Sequence, residues 1–129
     1  MAGRRVSKIV SHGRLIAALA RGRQGTSNVV TWGLDAPTRP IWRSANIQHA
    51  TLLPLETGRS RHLVVVLNEA HEAHVIGFDA TSSSRTFHLR LSCSRRCRAL
   101  DAGQGNVMIV ENHHDHGAIA LINLSLIHI

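Results

Sequence analysis

Aromatic residues make up only 3% of this 129-residue chain: two Trp, two Phe and no Tyr. A protein that stacks successive bases needs several exposed rings, and Trp32 and Trp42 both fall in apolar, strand-like patterns that assign them to packing. Cysteine is equally scarce. Cys93 and Cys97 are too few for a disulfide framework, and too few for a four-ligand zinc site without help from histidine. In an extended segment they would stand about 13 Å apart, beyond the reach of a disulfide. A turn would bring them together, but reduced thiols in an intracellular compartment are the expectation. No run approaches the roughly 20 apolar residues of a membrane helix; Leu15 to Ala20 is a short one. Heptads and a Gly-X-Y period are missing, which disfavours a coiled coil and a collagen. A hydrophobic content of 43% argues against a disordered tail. The chain reads as one modest soluble domain. Nucleophile-elbow, Walker, dinucleotide-binding and His-Glu-x-x-His motifs are also absent, so no reaction is legible.

Acidic residues are missing from the first 34 positions, and this concentrates the charge. Up to Arg43 the chain carries eight basic residues against the single acid Asp35, whereas seven arginines meet seven acids from Ser44 onward. The whole formal excess of +7 therefore lies in the first third. Arginine supplies 14 of the 15 basic residues, which is also the signature of a solvated surface encoded by GC-rich sequence. Arg14, Arg21, Arg23, Arg39 and Arg43 are the candidate partner-binding surface, suited to an acidic protein or RNA. The expected location is intracellular, cytoplasmic or nuclear/nucleolar; a mitochondrial leader is the competing reading of the acid-free start.

What the chain does have is an internal period. Val29 to Asp35 reappears as Ala73 to Asp79, and more weakly as Gly117 to Asn123, each copy 44 residues after the last. Thr31, Val75 and Ile119 share one column; Leu34, Phe78 and Ile122 share another. Each copy follows a second apolar run: Leu15 to Ala20, Leu63 to Leu67, and Val107 to Val110. Runs of four to six residues bounded by Gly, Asn, Ser or charged turns predict strands. Further strands are expected at Val6 to Val10, Pro40 to Arg43, Ile47 to Leu53, Thr86 to Leu91 and around Arg98 to Leu100, with turns at Pro54 to Gly58 and Gly103 to Gly105. A phosphate loop is a poorer reading of Gly103-Gln104-Gly105 than a two-glycine turn. Four short strands per 40 to 45 residues is the pattern of a β-propeller blade.

The stretch from Ile47 to Pro54, followed by Leu63 to Leu67 and His74 to Asp79, resembles a blade of the WD-repeat β-propellers. Trp32-Gly33-Leu34 stands where that family often has Trp-Asp-Leu. The resemblance departs at Gly33 and Gly77, which replace the family's aspartate, and no Gly-His dipeptide opens a blade. It implies an all-β fold, a partial β-propeller of about two to three four-stranded antiparallel blades. Blade 1 is expected at about 5–44, blade 2 at about 46–92 and a partial blade 3 at about 96–123. Fewer than three blades leave a ring unclosed, and open strand edges invite association. The last six residues, Leu124-Ser125-Leu126-Ile127-His128-Ile129, resemble the translation of a transposase adaptor from sequencing libraries, so 124–129 is expected to be an adaptor-derived tail rather than a further strand.

Histidine with acid is the strongest chemical cluster. Glu69 to His74 precedes one third-strand copy and Glu111 to His116 precedes the next, which makes His71, His74, His113 and His116 candidate metal ligands. Turns are also where solvated polar groups belong. His49, His62 and His88 are the histidines a propeller enzyme would gather near its axis. The resemblance implies a non-enzymatic scaffold that binds protein partners, with no cofactor; the basic first blade extends the expected partners to RNA in a ribonucleoprotein assembly. The alternative is a quinoprotein- or lactonase-like propeller enzyme with metal at the His/acid turns.

Overall fold

Apolar alternation and short polar turns produce eleven strands and no α-helix in the computed structural model, which describes residues 5–22, 24–57, 60–93, 96–111 and 118–124. The first sheet contains β1 (Arg5–His12), β2 (Leu15–Arg21), β3 (Ser27–Gly33) and β4 (Trp42–Arg43), paired in chain order. The second contains β5 (His49–Thr57), β6 (Ser60–Asn68), β7 (Glu72–Asp79) and β8 (Ser84–Ser92). The third contains β9 (Cys97–Gly103), β10 (Asn106–Glu111) and β11 (Ala118–Asn123). Every pairing is antiparallel. No helix among the described residues is long and apolar enough to cross a membrane.

The second sheet lies between the other two, and β6 shows why its sequence is a continuous apolar run. Leu63, Val65 and Leu67 pack with Leu15, Ala17, Leu19 and Val29 of the first sheet. Val64 and Val66, on the opposite face, pack with Val107, Ile109 and Ile122 of the third. A strand covered on both faces has no use for polar alternation. By contrast β2 alternates buried and half-buried residues, because among the described residues only one of its faces is covered by another sheet. Each fully buried large side chain in these two cores, such as Phe78 or Ile109, contributes about 1.5–3 kcal/mol relative to exposure.

The 44-residue period survives as pairing register. Gly33 opposes Leu15 in the first sheet as Gly77 opposes Val64 in the second. Phe78 opposes Leu63 as Ile122 opposes Val107 in the third. Thr31 and Val75 are fully buried, as are Phe78 and, nearly so, Ile122. Leu34 breaks its column at 46% exposed, since it follows β3 on the uncovered side of the first sheet.

Several expectations need correction. Pro54 lies within β5, which continues to Thr57 instead of turning at Pro54. β5 pairs only with β6, and an edge strand tolerates a residue with no N–H. Ile47 lies outside β5 and instead bridges to Ser27, its N–H donating at 2.8 Å and its carbonyl accepting at 2.7 Å. The strand expected from Pro40 shrinks to Trp42–Arg43, since Pro37 and Pro40 supply no ladder donors. Cys93 and Cys97 are bonded to each other, with Cα atoms 6.4 Å apart, in place of the expected free thiols. Both are buried, Cys93 just after β8 and Cys97 at the start of β9. Leu124, the first residue of the expected tail, is buried in the second core and its N–H donates to the Gly105 carbonyl; 125–129 lie outside the described residues.

Turns lock the sheets together at their ends. The Gly13-Arg14 turn abuts the turn after β7, where the Arg14 N–H donates to the Ala80 carbonyl at 2.7 Å and Ser83 Oγ donates to the Arg14 carbonyl. Gly13 has φ +56, and a Cβ there would come within 2.7 Å of the Ala80 oxygen, so the close approach requires glycine. Gln104 and Gly105 form a two-residue hairpin loop with φ of 55 and 79, the mirror-image turn that suits strand twist.

Candidate functional site

The His/acid segment becomes a cluster because β7 alternates its side chains. Glu72 and His74 are two residues apart and share one face of the strand. His74 lies directly opposite Arg90, and His88 is its diagonal neighbour on β8. His74 Nε2 stands 3.0 Å from Glu72 Oε2 and 4.0 Å from Glu69 Oε2. On its other side, His74 Nδ1 is hydrogen bonded to His88 Nε2 at 2.8 Å. Arg90 Nε donates to the second Glu72 oxygen at 2.8 Å.

Charge follows this geometry. Hydrogen bonds from Arg90 and then His74 hold the Glu72 carboxyl below its ordinary value. Burial, then the neighbouring His74 and Arg85, hold the His88 imidazole below its ordinary value. The donor atoms of Glu69, Glu72 and His74 all lie within 4.8 Å of one another, a set suited to a divalent cation.

Of the histidines expected to bind metal, His74 belongs to this group. His71 is exposed in the turn before β7, where its carbonyl accepts the Cys93 N–H. His113 and His116 lie outside the described residues. Glu69 and Glu72 were visible as neighbours in the segment, but the place of His88 beside His74, 14 residues away, depends on strand register. His49 and His62 do not join them. His62 lies on β6, where it feels Asp79 and His12, and His49 opens β5, where it feels Arg96 and Arg21.

Two of the basic residues, Arg14 and Arg21, stand at opposite ends of the first sheet. Arg14 sits in the turn before β2 and is ion-paired with Asp35. Arg21 closes β2, about 23 Å away by strand rise, directly opposite Arg5 on β1. Arg39 is exposed in the segment after β3, and Arg43 on β4 borders a depression of about 450 Å³ that Val30 and Trp32 also line. Arg23 lies outside the described residues. Burial, then the charges of Arg96 and Arg21, push the His49 imidazole below its ordinary value, so both arginines act at the start of β5. Trp42 meets Phe78 edge to face, with ring centroids 5.6 Å apart, and so serves packing.

No protein-family model, curated protein or solved structure matches this chain.

Proposed function

We propose that the three sheets are consecutive blades of a WD-repeat-like β-propeller, and that the chain is a non-enzymatic scaffold for an acidic protein partner. The observation that carries this is the middle sheet, covered on both faces by sheets that precede and follow it in the chain with matching register. Rigid sheets with function carried on their turns suit recognition better than chemistry. The docking end is the one where Arg21 and Arg96 act on His49 and Arg5 stands opposite Arg21. An intracellular location belongs to the same reading. Val6 and Ile9 on β1 and Leu121 on β11 are well exposed, which supports self-association at strand edges as a secondary property.

Fluorescence anisotropy with a labelled polyglutamate peptide, repeated with single-stranded RNA, tests the proposal. Affinity for the peptide should fall steeply as salt rises, and Arg21→Ala with Arg96→Ala should weaken binding at least tenfold. A salt-independent affinity, or one unaffected by the double substitution, would overturn the docking end. Stronger salt-linked binding of RNA would replace the protein partner with a nucleic acid.

A further inference from the structure

The cluster beside β8 goes beyond the scaffold reading and needs only two strands and one turn. We infer that Glu69, Glu72 and His74 bind a single divalent cation of the zinc class. Glu72 and His74 are fixed by the pairing of β7 with β8, and Glu69 comes from the turn that leads into β7. Zinc bonds of about 2.0–2.2 Å in a tetrahedron set donor atoms about 3.3–3.5 Å apart. The observed separations of 3.0 and 4.0 Å bracket that spacing. The larger one closes by rotation of Glu69, whose side chain is 46% exposed and free to adjust.

Two neighbours prepare the site. A histidine that binds metal through one ring nitrogen usually engages the other in a hydrogen bond that fixes the tautomer. His88 Nε2 stands 2.8 Å from His74 Nδ1 and would fill that role in the cation-bound form, where Nδ1–H donates to His88 and Nε2, which holds its proton toward Glu72 while no cation is bound, turns a lone pair to the metal. Arg90 occupies one oxygen of Glu72 and so orients the other toward His74. The same contacts without a cation would be an ordinary surface ion-pair network, worth little to stability. The two cases differ in what they bind.

The test is calorimetric titration of zinc into the full chain in which His113, His114 and His116 are all alanine, which removes the other histidine-rich segment. One equivalent should bind. His74→Gln and Glu69→Gln should each weaken binding at least tenfold, His88→Ala should weaken it about 10–100-fold, and His71→Ala should leave it unchanged. Glu69→Gln alters an exposed turn residue and keeps the test valid if the His74 variant fails to fold. Absence of a saturable equivalent, or zinc binding that Glu69→Gln leaves intact, would overturn the proposal. Binding lost with His71→Ala but not Glu69→Gln would mark an adventitious histidine contact and overturn it equally.

Discussion

Asn68 and Cys97 clasp each other through two hydrogen bonds: the Asn68 side-chain amide donates to the Cys97 carbonyl at 2.7 Å and accepts the Cys97 N–H at 2.8 Å. Both residues are buried, and the pair joins the end of β6 to the start of β9. Buried backbone groups that lose their partners cost more than the hydrogen bond itself contributed. Asn68→Ala should therefore lower stability by about 1–3 kcal/mol, read as a fall in the urea midpoint. Asn68→Asp should cost more, because it sets a buried carboxylate oxygen against the Cys97 carbonyl oxygen. A midpoint unchanged by Asn68→Ala would show that the clasp does not hold the third sheet.

The Cys93–Cys97 bond secures the same junction. It closes a short loop, with a sequence separation of only 4, so its loss should cost about 2 kcal/mol in the chain-entropy account. Thiol titration of the denatured, unreduced protein should find no free thiol, and two after reduction. Disulfides persist mainly in oxidising compartments. An intracellular location requires both thiols to be free before extraction, so a bonded pair in protein alkylated within its own compartment would overturn that part of the proposal.

Gly77 lies beneath the ring of Phe87, its cross-strand partner, and a Cβ at position 77 would overlap that ring. Gly77→Ala should destabilise by about 1–3 kcal/mol through overpacking. Adding Phe87→Leu should recover part of that loss, with a coupling of more than about 0.5 kcal/mol in a double-mutant cycle. Strictly additive losses would show that the ring moves aside freely.

Acid should weaken the fold through its histidines. Burial pushes the His62 imidazole below its ordinary value, with the Asp79 charge opposing and His12 adding to the shift; His49 and His88 are also lowered, burial again first. The unfolded chain takes up these protons near pH 6.5 and the folded chain only at lower pH. Stability is thus complete above about 6.5 and declines as pH falls through the folded values. Glu72, whose carboxyl is lowered chiefly by Arg90, extends the decline at more acidic pH. Urea midpoints at about pH 7.5 and 5 should differ in this direction, and His62→Gln should narrow the gap. A rise in stability toward pH 5 would contradict the assignment.

Strand positions were legible because their causes are local. The apolar runs at Leu15 to Ala20, Leu63 to Leu67 and Val107 to Val110 lie within β2, β6 and β10, and the two-glycine turn at Gly103 to Gly105 joins two strands as expected. The candidate site was half legible. Glu69, Glu72 and His74 are neighbours in sequence, but His88 and Arg90 reach them only through the register of β8.

The amino-acid order alone settled that this chain forms short antiparallel strands in units 44 residues apart, since side-chain alternation and turn chemistry act over a few residues. Only the tertiary structure decided that Cys93 meets Cys97, that Pro54 continues a strand, and that Arg14 and Arg21 face opposite ends. Those outcomes depend on which edges stay unpaired and which faces become covered, and no local pattern encodes that.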